Sequence, residues 1–184
     1  GILLPNVAGS AGEVLVVMDN FNWKNNAGTV LRNTLEQEYP GLPQAEPIFD
    51  VIHITRGAFD NLFEMHRTIM LVSVDSENTE PSVRYSENVW ARPQLVIRIE
   101  APDSYALEEL IEQERANILR NILAYDRKRL QDVYNDSRDP EIRNVVSKFN
   151  IDLAIPRGYN IDFHTEDFAS ISIETSRSSQ VIFI

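Results

Sequence analysis

Hydrophobic and polar positions change period several times along the chain. Glu13 to Met18 is a continuous apolar run after its first residue, the pattern of a strand buried on both faces of a sheet. Trp23, Ala27, Val30, Leu31 and Leu35 then recur at three- and four-residue steps, which predicts an amphipathic helix preceded by the cap-forming residues Asp19, Asn20 and Asn22. Tyr39-Pro40-Gly41-Leu42-Pro43 ends it, because proline cannot continue a helix and glycine permits a sharp turn. Pro47 to Thr55 predicts a second strand, and Phe59, Leu62, Phe63 and His66 repeat at the spacing of a short helix.

Ile69 to Val74 reads as a third strand and Asp75 to Glu87 as a polar loop. Gln94 to Glu100 is a fourth strand, in which Leu95, Ile97 and Ile99 alternate with Val96 and Arg98. Pro102-Asp103-Ser104 opens a long helix whose apolar stripe, Leu107, Leu110, Ile111, Ile118, Ile122 and Leu123, persists to about Tyr134. Its length of roughly 45 Å exceeds the width of a small domain. Asp139-Pro140 restarts a helix with Val145, Val146 and Phe149 on its apolar face. Three short strands follow, Ile151 to Ile155, Phe168 to Glu174 and Gln180 to Ile184, with Ser176 to Ser179 as a hairpin turn.

Strands, then helices, then strands predict an α+β fold, with helices packed on one face of a mixed or antiparallel sheet in the manner of a split βαβ, ferredoxin-like unit. Residues 1–12, small and turn-forming, read as a linker, and residues 13–184 as one α+β domain truncated within its last strand.

Composition narrows the chemistry. A chain of 184 residues hides roughly 70% of its extended surface on folding, enough for a substantial core. The formal charge of −11 disfavours phosphate backbones, and no basic stripe offsets it. Arg127, Lys128 and Arg129 end a helix that begins with Glu108, Glu109, Glu112 and Glu114, an order that the helix macrodipole explains. Nucleic acid is therefore not an expected partner. With no cysteine, disulfides, thiolate catalysis and cysteine-ligated metals are excluded. The apolar runs Val14 to Met18 and Ile69 to Val72 fall far short of the roughly 20 residues that span a bilayer.

Gly9-Ser10-Ala11-Gly12 precedes a strand instead of joining a strand to a helix, and no Gly-Lys-Ser/Thr follows, so a phosphate loop is not expected. Asp19 ends the first strand, where phosphotransfer enzymes place a nucleophilic carboxylate. Phe21 stands where a second acid is needed, however, and helix capping is the better role for Asp19. His53 and His66 fall on apolar faces and read as structural. His164, Glu166, Asp162 and Asp167 have the composition of a metal site, but a solvated acidic loop outweighs it, and no metal or cofactor is expected. Trp23 belongs to the helix stripe. Trp90 stands beside Arg92 in the loop Val89-Trp90-Ala91-Arg92-Pro93-Gln94, and with Tyr85 these two are the binding candidates, although packing alone would also account for Trp90. No catalytic residue can be assigned.

Glu13-Val14-Leu15-Val16-Val17-Met18-Asp19 with Trp23, Pro40 to Pro47 with Phe49-Asp50, Val89 to Gln94 and Ala101-Pro102-Asp103 together resemble the uncharacterised family known as domain of unknown function 4837, found among envelope lipoproteins of Bacteroidetes. The resemblance spans residues 13–103. It implies an exported protein, lipid-anchored to the cell envelope through a cysteine upstream of Gly1, with a native chain longer than this one, and it implies no reaction. The expected function is thus a non-enzymatic envelope binding or assembly module that presents a sheet face or loop rim to a protein or glycan partner, touching the membrane only through its anchor. The alternative is a hydrolase acting on an envelope polymer or glycan, with Asp19, His164 and Glu166 as its acids and bases. A scaffold for a further C-terminal part is a third reading.

Overall fold

The computed structural model describes residues 3–41, 43–176 and 178–184. Leu42 and Arg177, in two of the predicted turns, lie outside the described residues, as do Gly1 and Ile2 of the predicted linker. The chain divides into two compact units, Gly1–Asp126 and Arg127–Ile184. No change of composition marks this division, which falls inside one helix.

The first unit is built on a mixed five-stranded sheet. Its strands are β1 (Glu13–Val17), β2 (Asp50–Ile54), β3 (Thr68–Val74), β4 (Ser82–Glu87) and β5 (Leu95–Ala101), in the spatial order β2-β1-β3-β5-β4. β1 runs parallel to both β2 and β3, β3 runs parallel to β5, and only β4 is antiparallel. β1 is a central strand with β2 on one side and β3 on the other, and β2, to which α1 and α2 connect it, is its direct neighbour. Its unbroken apolar run follows from burial on both sides. Val14 and Val16 meet helices on one face, while Leu15 and Val17 pack against Ile69, Leu71 and Val96 on the other.

Helices α1 (Asn20–Lys24), α2 (Asn26–Leu35) and α3 (Ser104–Asp136) follow β1 and β5. Ala27, Leu31 and Leu35 of α2 join Leu107, Ile111, Ile118 and Ile122 of α3 over the first face. Each large aliphatic side chain removed from water there contributes about 1.5–3 kcal/mol. The opposite face carries no long helix and is covered by Phe59, Phe63, Val89 and Trp90 from connecting loops.

Several elements depart from the hydrophobic pattern. The helix predicted from Trp23 to Leu35 breaks at Asn25, and α2 then passes so close to α1 that a Cβ on Gly28 would lie 2.0 Å from the Trp23 carbonyl oxygen. The short helix predicted over Phe59–His66 is two 3-10 turns, Arg56–Ala58 and Phe63–Met65, because Phe59 and Phe63 turn down onto the sheet instead of forming a helical stripe. The predicted polar loop contains β4, whose exposed edge position demands little apolar alternation. Residues 3–12 are not a free linker: Asn6 bridges to Arg92, and Ala8 bridges to His66.

The second unit packs α4 (Pro140–Ser147) on a three-stranded antiparallel sheet of β6 (Asn160–His164), β7 (Ala169–Glu174) and β8 (Ser179–Phe183), in that spatial order. Ile142, Val146, Ile155 and Ile171 form its core. The strand predicted at Ile151–Ile155 forms no ladder, and β6 supplies the third strand instead. On the other face of this sheet Phe168 lies against Phe163 and Phe183, with ring centroids 6.4 and 5.9 Å apart. Among the described residues no helix is long and apolar enough to cross a membrane.

Candidate functional site

A cleft of about 400 Å³ opens at the carboxyl ends of β1 and β3, on the sheet face that lacks long helices. Small-molecule pockets occupy about 300–1,000 Å³, so this one falls toward the small end. Its position follows from connectivity. The chain leaves β1 for β2 on one side and later returns to β3 on the other, so the strand ends between them are left open, the place where open parallel sheets hold ligands.

Pleating sends alternate side chains of adjacent strands into the cleft. Val17 of β1 is the register partner of Leu71 of β3, and together they form an apolar floor. Leu71 is paired in turn with Arg98 of β5, and Ser73 is paired with Glu100. Trp90 forms a wall, meeting Phe59 edge to face with ring centroids 5.7 Å apart. The Arg98 guanidinium lies 5.8 Å from the Trp90 ring centre. Arg56, just beyond β2, lies 5.7 Å from the Phe59 ring centre and lines the same cleft.

Gln94 holds this wall in place. It is completely buried. Its Oε1 accepts from the backbone N–H groups of Trp90 at 2.9 Å and Ala91 at 3.3 Å. Its Nε2 donates to the carbonyls of Glu64 at 2.6 Å and His66 at 2.8 Å. The loop is also closed on itself, since the Asn88 N–H donates to the Gln94 carbonyl and the Gln94 N–H to Asn88 Oδ1. Asn88 has φ +55°, a conformation that asparagine adopts more readily than most residues. One amide side chain thus ties the Trp90 loop to the neighbouring 3-10 turn.

The charged groups of the cleft differ in how far they are already satisfied. Asp19 caps α1, one carboxylate oxygen accepting the Asn22 backbone N–H at 2.9 Å and the other the Asn22 side-chain amide at 2.8 Å. Glu100 is held by Arg84. Among the described residues, by contrast, neither Arg56 nor Arg98 has a carboxylate partner. Arg84 and Arg98 stand directly opposite each other on β4 and β5, a like-charge pairing that disfavours the ladder.

The candidates read from sequence do not gather into one site. Trp90 lines the cleft, whereas Arg92 is exposed and is not part of its lining. Tyr85 is paired with Ile97 on the helix-covered face, where burial, and secondarily the charge of Glu114, push its phenol above the usual range. His164 ends β6 and Glu166 lies in the turn beyond it, both exposed in the second unit, while Asp19 belongs to the first. Asp162 accepts from Ser170 and Ser172. Among the described residues no group of three histidines or acids is placed to hold a metal. His53 stacks on Trp23 with centroids 4.3 Å apart and hydrogen bonds through Nε2 to the Met18 carbonyl. Buried His66 donates from Nδ1 to the Thr68 carbonyl.

Sequence reasoning passed over Arg56, Arg98 and Gln94. An arginine interrupting an apolar strand, at Arg98, and a polar amide at the head of one, at Gln94, were the available signals.

One family model covers this site: that of Domain of unknown function (DUF8532), which matches residues 7–135. The chain belongs to this family. Every residue that lines the cleft falls within the DUF8532 segment, whereas β6, β7 and β8 lie beyond it. Comparison with curated proteins and with solved structures found no match. The DUF8532 match overturns the resemblance to domain of unknown function 4837, and the Bacteroidetes lipoprotein setting implied by that resemblance loses its basis. Of the stretches that carry it, Glu13 to Met18 is a strand buried on both faces, Val89 to Gln94 belongs to a closed loop, and Asp103 is a helix cap. Many unrelated α/β domains need such local patterns for structural reasons alone.

Proposed function

We propose that this domain is a binding module and not an enzyme, and that its ligand, a small molecule or one end of a larger one, occupies the cleft at the ends of β1 and β3. The observation that carries this reading is the contrast between engaged acids and an open wall. Asp19 and Glu100, the carboxylates that an acid–base mechanism would draw on, already serve Asn22 and Arg84. General acid–base catalysis needs a group free to exchange its proton within hydrogen-bond reach of a substrate. Trp90 and Leu71, by contrast, offer apolar contact, and Gln94 fixes the loop in advance, which lowers the ordering cost of binding. No comparable observation favours a hydrolase built on Asp19, His164 and Glu166.

A screen of compound mixtures against the isotopically labelled chain, read as amide and indole chemical shifts, tests the reading. Hits should cluster at Val17, at Leu71 to Val74 and at the Trp90 indole, weaken in Trp90→Ala, and persist in Asp19→Asn. Hits collecting elsewhere, or turnover of a screened compound that Asp19→Asn abolishes, would sink it.

A further inference from the structure

We infer that the cleft selects a small organic anion, with an oxyanion head, carboxylate or phosphate, held by Arg98 and Arg56 and an apolar body lying on Val17, Leu71 and Trp90. The inference rests on the cleft being the binding site and adds the charge class of what binds there.

Charge placement leads to this class. The molecule carries a formal charge of −11, so an unpaired cation facing a concave surface is out of keeping with its average. The cleft has two. Arg98 and Arg56 each rest on an aromatic ring, Trp90 and Phe59, and neither has a carboxylate partner among the described residues. Arg84 stands opposite Arg98 and engages Glu100, and Asp19, the other acid of the lining, is turned to Asn22 and not to either arginine, so three guanidiniums are set against two carboxylates. An arriving oxyanion would offset the opposition of Arg84 and Arg98. It would also meet planar guanidinium forks, which suit carboxylate and phosphate geometry alike. Both guanidiniums lie within cation–π range of their rings, which favours their placement at the cleft before a ligand arrives.

Size and polarity limit the rest of the ligand. About 400 Å³ with a floor of Val17 and Leu71 suits a compact body more than a long polymer.

Benzoate, phenyl phosphate and neutral benzamide, titrated separately into the whole chain and followed at the Trp90 indole signal, make the test. Benzoate or phenyl phosphate should bind at least about tenfold more tightly than benzamide, and Arg98→Gln and Arg56→Gln should each weaken the anion by about tenfold or more. Whichever anion binds better identifies the head group, and added salt should weaken both. Arg56 is exposed and Arg98 faces a like charge, so both variants should fold, which the amide spectrum reports directly. Equal binding of benzamide and benzoate at Trp90 would overturn the anion inference while leaving the cleft as the site. Failure of both anions to perturb Trp90 would also overturn it, and the compound screen then decides separately whether the cleft binds anything.

Discussion

Gln94 shows how much one side chain can decide. Its amide satisfies two backbone donors and two backbone acceptors in the interior, and shortening it leaves these groups unpaired. Each buried orphan costs about 1–3 kcal/mol, so Gln94→Ala should lose roughly 3 kcal/mol or more in chemical denaturation and loosen the Trp90 loop. Glu13 is a second case at the amino end of β1. Its carboxylate accepts the Ser10 N–H at 2.8 Å, which holds it below the usual glutamate range, with buried His66 adding a smaller effect in the same direction. A depressed folded-state value means that the unfolded chain binds the proton first. The stability contributed by Glu13 is therefore complete above the ordinary glutamate value of about 4.3 and is lost as pH falls through the lower folded value. Melting temperatures of the native chain and Glu13→Gln should thus differ near neutrality and converge on acidification. A difference that grew as pH fell would show the opposite sign of coupling.

Among the elements, α4 is the one whose boundary the residues specify most directly. Asp139 accepts the N–H groups of Glu141 at 2.9 Å and Ile142 at 3.1 Å, and Pro140 occupies the first turn, where its missing N–H does no harm. Asp139→Ala should cost about 1 kcal/mol, measurable by denaturation, whereas Asp139→Asn should cost much less. A null effect of the alanine variant would mean that the packing of Ile142 and Val146 alone sets the start of this helix. β4 presents the reverse situation. Ser82, Arg84 and Ser86 give it no apolar run, yet it pairs along its whole length with β5, because a central strand recruits an edge through backbone groups that any sequence provides.

The molecule contains two compact units with separate cores, Val14 to Tyr125 in the first and Ile142 to Ile171 in the second. Completely buried Ile171 anchors the second, and Ile171→Ala should remove about 2–5 kcal/mol from it. Hydrogen exchange should then accelerate in α4 and β6 to β8 while β1, β3 and β5 keep their protection. Equal acceleration in both sets would show one cooperative unit in place of two. What the order of residues established was the α+β class, the central strands β1, β3 and β5, the long α3, the capped α4 and the exclusion of thiol chemistry, since these rest on local periodicity and residue type. The strand order, the pairing of β4, the two-unit division and the meeting of Arg56, Trp90 and Arg98 were settled by the folded chain alone. Those features join positions dozens of residues apart, and no periodicity along a chain encodes which strands become neighbours or which of their side chains share a face.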